Sequence, residues 1–290
     1  MLTLIRWLSR RSLRFLHALG AALGWAAYLS SANYRRRLCD NAALAGIPDA
    51  DRRASVAEAG KLVAELPRLW LRPHGAPIGE PLRWDGDELL VELLGQGRGL
   101  VLMTPHMGCF EMAAQAYAQR FGARQPMTVL YRPARQAWLR ELEASARARP
   151  GLATAPATLA GVRQMLRALK RGETVGLLPD QVPPEGLGVW APFFGQPAYT
   201  MTLGARLVQQ TGAAVAVAWC ERLARGRGYV VRIRRMPEPL PPPAVGDDAA
   251  QQQAEAGAIN RSMETVIREC PGQYLWGYHR YKAPRTLAPA

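Results

Sequence analysis

The residues best suited to chemistry in this chain are His106 and Glu111, five positions apart just beyond a short apolar run, Leu100–Met103. Such a run is typical of a β-strand that is buried on both faces. Residues 107–120 then place apolar side chains at helical spacing. The histidine would therefore lie in a turn between a strand and a helix, where α/β proteins usually bind their ligands.

The spacing of the pair limits how its two side chains can meet. On one regular helix, residues five apart point about 140° away from each other. We therefore expect His106 in the turn and Glu111 in the first turns of the helix, where the carboxylate can accept a hydrogen bond from one imidazole nitrogen. The other nitrogen could then take a proton from a hydroxyl group. The alternative is a histidine with purely local contacts and a glutamate that faces water.

Cys109 is a candidate nucleophile in the same segment, but its position at the start of the helix favours a packing role. The four cysteines are widely separated, and the sequence has no C-x-x-C pair and only four histidines. This pattern argues against a zinc site and against a disulfide framework. We therefore expect no metal and a reducing compartment. Nothing in the sequence resembles a nucleotide-binding loop, and we expect no cofactor.

The charge of the chain is unusual for its length. The 290 residues include 37 Lys or Arg and 23 Asp or Glu, which gives a net charge of +14. A charge of this size implies an anionic partner, such as nucleic acid, phospholipid head groups or an acidic protein. The sequence has no recognisable RNA- or DNA-binding motif, and the charge by itself does not select one partner.

Residues 1–39 are predicted to form a membrane anchor, because they contain seven Arg, no Asp or Glu, and an apolar run over 15–29. As a helix this run would span about 22 Å at ~1.5 Å per residue, short of the roughly 30 Å hydrocarbon core. Three alternatives remain open: a signal peptide, a helix that spans the whole membrane, and a helix that lies in one leaflet. The last fits the length and charge of the segment best. Gly20 and Gly24 have the spacing that packs helices together.

Residues 40–290 are predicted to form one α/β domain, because predicted strands and helices alternate along them. We expect a mixed, mostly parallel sheet flanked by helices. The predicted strands cover residues 100–103, 127–131, 174–178, 213–219 and 229–233. The predicted helices cover residues 52–71, 85–96, 107–120, 134–148, 159–170, 201–210 and 248–270.

Further polar side chains follow the second and third predicted strands. Arg132 follows the second, and Asp180 and Gln181 follow the third. In a parallel sheet these positions share one edge with His106, where Arg132 could hold a phosphate or a thioester oxygen. Asp180 could face the reaction centre or hold an arginine there. An arginine facing water is the alternative for Arg132, and Arg147 could equally complement the dipole of the helix that it ends.

Two aromatic segments allow more than one interpretation. Phe193 and Phe194 could form the wall of an acyl-chain channel or pack in the core. Residues 273–282 combine aromatic and cationic side chains, which would suit either a nucleic-acid platform or a belt at a membrane interface.

Taken together, in this order over residues 95–283, these motifs resemble the bacterial lipid A biosynthesis acyltransferase family of the lauroyl or myristoyl type. That family is related to the H-x4-D/E glycerolipid acyltransferases. The matching elements are His106-x4-Glu111, Tyr131-Arg132-Pro133, Pro179-Asp180-Gln181, Pro192-Phe193-Phe194-Gly195, Gln273-Tyr274-Leu275-Trp276 and Arg280-Tyr281-Lys282.

The resemblance implies a glycerolipid acyltransferase-like fold and an enzyme anchored on the cytoplasmic face of the inner membrane. Such an enzyme moves a fatty acyl group from acyl carrier protein or acyl-coenzyme A to a hydroxyl group of a lipid A precursor or related glycolipid, and has no nucleic-acid partner. The resemblance makes His106 the general base and Glu111 the carboxylate that orients it. Arg132 and Arg147 would bind the anionic lipid.

The resemblance also makes Asp180, with Gln181 beside it, part of the substrate-binding site. The C-terminal block departs from the family pattern, since Tyr278-His279 stands where a histidine followed by a basic residue is usual. A lysophospholipid or another glycolipid is therefore an alternative acceptor. A non-catalytic basic protein that binds membranes, and a hydrolase that transfers the acyl group to water, are the alternatives from other classes.

Overall fold

The computed structural model describes residues 2–131, 136–243 and 247–286. The helices within these ranges are α1 (Leu2–Ser9), α2 (Leu13–Ser30), α3 (Ala32–Leu44), α4 (Asp49–Trp70), α5 (Asp87–Gly95), α6 (Phe110–Phe121), α7 (Ala137–Arg147), α8 (Leu159–Lys170), α9 (Leu203–Thr211) and α10 (Asp248–Glu269). The strands are β1 (Leu82–Asp85), β2 (Leu100–Met103), β3 (Met127–Tyr131), β4 (Leu152–Pro156), β5 (Thr174–Leu177), β6 (Gly188–Phe193), β7 (Gln196–Met201), β8 (Ala214–Arg222) and β9 (Tyr229–Arg235).

A seven-stranded sheet in the order β1-β9-β8-β2-β5-β3-β4 forms the centre of the molecule. Neighbouring strands run parallel except for the antiparallel pair β8 and β9. β6 and β7 form a separate antiparallel hairpin. The prediction of a mixed, mostly parallel sheet flanked by helices is therefore confirmed.

Strand β2 lies in the middle of the sheet, between β8 and β5, and all four of its residues are buried. Side chains of a strand alternate between its two faces. Val101 and Met103 accordingly enter one hydrophobic cluster, and Leu100 and Leu102 enter the other. The continuous apolar run arises because both faces of this strand are covered.

Several helices begin where a short polar side chain can accept a hydrogen bond from the first turn. Ser12 accepts from the backbone N–H of Phe15 at the start of α2, and Asp247 accepts from two backbone N–H groups at the start of α10. Helix α6 differs, because it has no side-chain cap at Cys109. It begins three residues later than predicted, because Met107 and Gly108 form β-bridges with Tyr274 and Cys220.

β1, β4 and the β6–β7 hairpin were not predicted from the sequence. β1 and β4 are the two edge strands of the sheet, and each pairs with only one neighbour. Both are only partly buried, so neither has the continuous apolar run that revealed the central strands. An edge strand of this kind leaves only a weak signal in the sequence.

Helix α2 contains the apolar run that was predicted to form a membrane anchor. It packs closely on α4, since a Cβ atom on Gly60 would lie only 1.9 Å from the carbonyl oxygen of Gly20. A Cβ atom on Gly24 would lie 2.2 Å from the carbonyl oxygen of Val56. The prediction that Gly20 and Gly24 pack against another helix is therefore confirmed.

One alternative for the predicted anchor was a helix that crosses the whole bilayer. No helix in the described parts of the chain is both long enough and apolar enough to cross a bilayer. α2 instead buries one face, which includes Leu16 and His17, and leaves Phe15, Leu23 and Leu29 exposed on the other. The apolar run includes residues from both faces of α2. Hydropathy along the sequence therefore did not reveal that one of these faces packs on α4.

The contact between α2 and α4 leads to a prediction about stability. We expect Gly60→Ala to lower the free energy of unfolding by about 1–3 kcal/mol, because the new methyl group meets backbone atoms that cannot move aside cheaply. Gly95→Ala is the matched control, since a Cβ atom there meets nothing within 4 Å. Denaturant unfolding of both variants measures the difference, and equal stabilities would contradict the close packing.

Candidate active site

His106 lies in the turn that joins β2 to α6. The turn passes so close to the end of β8 that a Cβ atom on Gly108 would lie 2.0 Å from the carbonyl oxygen of Cys220. Gly108 also has a positive φ of 59°, a conformation that other residues rarely adopt. The backbone N–H of Cys109 donates to that same Cys220 carbonyl at 2.7 Å. Gly108 therefore allows the turn that carries His106 to pack directly against β8.

Asp180 is the carboxylate that contacts the imidazole. It follows β5, and β5 is the parallel neighbour of β2, so both residues emerge at the same edge of the sheet. One carboxylate oxygen accepts a hydrogen bond from the backbone N–H of His106 at 2.9 Å. The other lies 2.7 Å from Nδ1 of the ring. Two contacts from one residue fix both the position and the rotation of the imidazole.

The charge state of Asp180 determines which imidazole nitrogen carries the proton. Burial raises the pKa of this carboxyl group, but the charge and hydrogen bonds of His106, together with the charge of Arg280, hold the pKa below its ordinary value. An ionised carboxylate only accepts hydrogen bonds, so Nδ1 must be the donor. In the neutral ring Nε2 then has the lone pair that a general base requires. The His106 side chain remains 18% exposed.

Glu111 lies in the first turn of α6, as predicted, but it has a different partner. Its carboxylate accepts a hydrogen bond from the guanidinium group of Arg147, at the end of α7. No hydrogen bond joins His106 to Glu111. The predicted pairing is therefore wrong, because the parallel register of β2 and β5 brings Asp180 to the imidazole from 74 positions away.

Arg147 stands beside the end of β3. Its guanidinium group lies 3.9 Å from Glu143 and 5.8 Å from the centre of the Tyr131 ring. Burial lowers the pKa of Arg147, but Glu111 and Glu143 outweigh burial and raise it above the ordinary value. Arg147 is therefore a fixed positive charge near this edge of the sheet. Arg132, predicted to lie at the same edge, falls outside the described residues.

The C-terminal segment passes over the histidine-bearing turn. The backbone N–H of Leu275 donates to the carbonyl oxygen of His106 at 3.1 Å, and that of Gly108 donates to the carbonyl oxygen of Gln273 at 3.0 Å. Tyr274 of this segment is buried, and burial, followed by the negative charge of Asp180, raises the pKa of its hydroxyl group well above the ordinary value. The segment thus encloses the carboxylate that holds the imidazole.

The C-terminal segment also brings Arg280 close to Asp180. Arg280 was not among the predicted site residues. It is 3% exposed and donates to the carbonyl oxygen of Tyr199 and to Oγ1 of Thr200, both at 2.7 Å. Its charge also lowers the pKa of Asp180. The concentration of aromatic and cationic residues over 273–282 was the available signal. That signal did not indicate which strand end the segment covers.

Comparison with known proteins shows the family. The sequence matches the family of bacterial lipid A biosynthesis acyltransferases over residues 1–283. The chain belongs to this family. The similar proteins include the lipid A biosynthesis lauroyltransferase of Escherichia coli, 28% identical over 72% of this chain and 65% of that protein. They also include the lipid A biosynthesis palmitoleoyltransferase of the same organism, 29% identical over 77% of this chain and 68% of that protein.

Two of the motifs that carried the resemblance to this family can be placed in the fold. Phe193 and Phe194 are 2% and 7% exposed, and the Phe194 ring packs against Trp276 at 5.6 Å. Core packing, one of the two interpretations of this motif, is what the structure shows. Gln181 is partly buried directly after Asp180.

Cys109, the candidate nucleophile, is fully buried beneath the turn that carries His106. Burial raises the pKa of its thiol well above the ordinary value, and the charge of Glu65 raises it further. Since the thiolate is the reactive form of cysteine, this side chain has the properties of a packing residue. The favoured packing role is therefore consistent with its environment.

The burial of the thiols leads to a prediction about their reactivity. We expect iodoacetamide to modify neither Cys109 nor Cys220 in the native protein near neutral pH, because both are buried and have raised pKa values. Half-buried Cys39 is the internal comparison, and unfolding in guanidinium should expose all four thiols. Peptide mass spectrometry measures each site, and rapid native modification of Cys109 would contradict the structure.

Proposed function

We propose that this protein is an acyltransferase that moves a fatty acyl group from a thioester to a hydroxyl group of a lipid A precursor or a related glycolipid. The observation that carries the proposal is the imidazole of His106, whose Nδ1 lies 2.7 Å from the buried Asp180 carboxylate. It lies at the carboxyl edge of the sheet in a chain of the lipid A acyltransferase family. A fixed histidine with a free lone pair is suited to taking the proton of an attacking hydroxyl group.

In the proposed reaction, Nε2 of His106 takes the proton of the acceptor hydroxyl group while its oxygen attacks the thioester carbonyl. Asp180 stabilises the imidazolium ion that forms. When the carbon–sulfur bond breaks, the imidazolium returns the proton to the departing thiolate, which leaves an ester and a free thiol. Positive charge near the carbonyl would stabilise the oxyanion of the intermediate, and Arg132 is our candidate for that role.

Glu111 and Arg147 have a second task in this proposal. Glu111 holds the guanidinium group of Arg147 in place, and a fixed guanidinium group binds the planar oxygens of phosphate or carboxylate well. We propose that Arg147, with Arg132, binds the anionic head group of the acceptor and that Gln181 contributes a polar contact. Glu111 then acts on the reaction through Arg147.

The proposed donor is acyl carrier protein or acyl-coenzyme A loaded with a fatty acid. Both are anionic, and a net charge of +14 attracts them to the protein. The direct test mixes each labelled donor with a lipid A precursor and identifies the product by mass spectrometry. An acylated glycolipid is the expected product. Release of free fatty acid alone would indicate a hydrolase, and binding of lipid without any turnover would indicate a non-catalytic membrane protein.

The roles of the two carboxylates lead to a prediction about catalysis. We expect both His106→Gln and Asp180→Asn to lower kcat by about 10²–10⁴, because each removes general-base assistance or the partner that orients the base. Glu111→Gln should mainly raise KM for the acceptor, because it loosens Arg147 and leaves the imidazole in place. Steady-state kinetics measures both constants.

A surface carboxylate is the control for these variants. Asp87 pairs with Arg120 at the protein surface, so Asp87→Asn should leave both kcat and KM close to wild type. If Glu111→Gln lowered kcat as strongly as Asp180→Asn did, Glu111 would have a role at the imidazole that this geometry does not include.

We also propose that α1 and α2 hold the protein on the cytoplasmic face of the inner membrane, lying in the plane of one leaflet. The large apolar side chains exposed on these two helices are Leu4, Trp7, Phe15, Leu23, Trp25 and Leu29. Arginine residues lie among the first of these side chains, at positions 6, 10, 11 and 14, and after the last of them, at positions 35–37. An apolar face bordered by cations is the pattern of a helix that lies in an anionic membrane surface.

The exposed face of α2 leads to a prediction about membrane binding. We expect Leu23→Asp to weaken binding to vesicles that contain anionic lipid by about 10-fold or more, because a leucine side chain gains roughly 1.5–3 kcal/mol on leaving water. Vesicle co-sedimentation measures the change. Val91→Asp is the control, since Val91 is 58% exposed on α5, away from the proposed surface. Equal loss in both variants would contradict the assignment of the surface to α2.

A further inference from the structure

A cluster of buried ionisable side chains lies beneath the turn that carries His106. Glu65 of α4 is 0% exposed, Arg222 at the end of β8 is 3% exposed, and His17 of α2 is 5% exposed. Glu65 accepts hydrogen bonds from Arg222, from the hydroxyl group of Tyr229 and from Nε2 of His17. Buried ion pairs are costly to desolvate and contribute little stability as a rule. Stability alone therefore does not explain why this cluster is present.

The guanidinium group of Arg222 connects the cluster to the turn. Its Nε donates to Glu65 at 2.8 Å, and its Nη1 donates to Glu58 at 3.2 Å. Its Nη2 donates to the carbonyl oxygen of Gly108 at 2.6 Å. The two carboxylates fix the plane of the guanidinium group, so that the third bond reaches the turn in one orientation.

The rest of Gly108 is held just as firmly. Its backbone N–H donates to the carbonyl oxygen of Gln273. The side chain of Gln273 in turn accepts from the backbone N–H of Arg222 and donates to the Arg222 carbonyl oxygen, both at 2.9 Å. Arg222 of β8 therefore binds the carbonyl oxygen of Gly108 directly and is linked to the Gly108 N–H through Gln273 of the C-terminal segment. Those peptide groups lie two residues from the imidazole that faces Asp180.

We infer that Arg222, held by Glu65, is a positioning residue that sets the placement of His106 through the carbonyl oxygen of Gly108. The inference rests on the function proposed above. It also explains why a planar guanidinium group stands here, because one lysine ammonium group could not reach Glu65 and Gly108 in the same arrangement.

The decisive variant is Arg222→Lys. It keeps a positive charge beside Glu65 but loses the branched guanidinium group that also reaches Gly108. We expect kcat to fall on the order of 10- to 100-fold with little change in KM, because small misplacement of a catalytic group has effects of this size. Tyr229→Phe is the matched control. It removes a hydrogen bond to the same buried carboxylate but leaves the contact with Gly108 intact, so its kcat should remain near wild type.

A readout that does not depend on turnover separates this inference from the proposed function. The chain has four histidines, so the imidazole ¹⁵N signals of labelled protein can be assigned with His106→Gln. We expect Arg222→Lys to shift the Nδ1 signal of His106, and Tyr229→Phe to leave it unchanged. If the wild-type protein transfers no acyl group but this shift occurs, the proposed function fails and the positioning role stands.

Two results would overturn the positioning role. One is an Arg222→Lys variant with wild-type kcat and an unshifted His106 signal. The other is an equal loss of kcat in Tyr229→Phe, which would indicate a general effect of disturbing the cluster. Should Arg222→Lys fail to fold, Glu65→Gln replaces it, because its amide oxygen can still accept from Arg222 while the charge and one acceptor oxygen are lost. It should then give a smaller fall in kcat and a smaller shift, and a wild-type result would overturn the role equally.

Discussion

The contact between His106 and the buried carboxylate of Asp180 is the interaction on which the rest of this structure depends. It exists because β2 and β5 are parallel neighbours, so the residues that follow them leave the sheet side by side. The pairing continues past the strands, since the backbone N–H of Thr104 donates to the carbonyl oxygen of Leu177 at 3.0 Å. Central strands with both faces buried are among the most rigid parts of a protein. The imidazole is thus attached to the least mobile part of the fold.

The turn that carries the imidazole is enclosed from two sides. On one side the C-terminal segment provides Leu275, whose backbone N–H donates to the carbonyl oxygen of His106, and Arg280, whose charge lowers the pKa of Asp180. On the other side Arg222 binds the carbonyl oxygen of Gly108. The turn itself lies close against β8, which Gly108 permits. A side chain that is 18% exposed and held in a fixed environment would need little rearrangement in the proposed reaction.

The N-terminal helices connect this site to the proposed membrane surface. α2 presents apolar side chains outward, while its inner face packs on α4 through glycine and places His17 against Glu65. The same helix therefore contributes to the cluster that holds Arg222. The proposed membrane surface and the residues beneath the turn that carries His106 are parts of one packed unit, which suits the lipid acceptor proposed for this protein.

The sequence by itself determined the central strands, the turn at His106 and the position of Asp180 at the same sheet edge. These features depend on local patterns: continuous apolar runs, breaks at Pro and Gly, and polar residues directly after strands. The ordered motifs also determined the family, because several short patterns in one order are more specific than any single one. The contact of Gly20 and Gly24 with another helix was likewise predictable from their spacing.

Only the tertiary structure decided which carboxylate serves the imidazole, what Arg222 does and how α2 is placed. Asp180 and Glu111 are both acidic and both near the predicted edge, and only strand order and register decide which of them reaches Nδ1. Arg222 lies 114 positions from the glycine whose carbonyl oxygen it binds, so no local pattern connects them. Likewise, the average hydropathy of an apolar helix does not distinguish the face that packs on protein from the face that remains exposed. In each case the deciding contact joins residues far apart in the chain, and sequence periodicity describes only near neighbours.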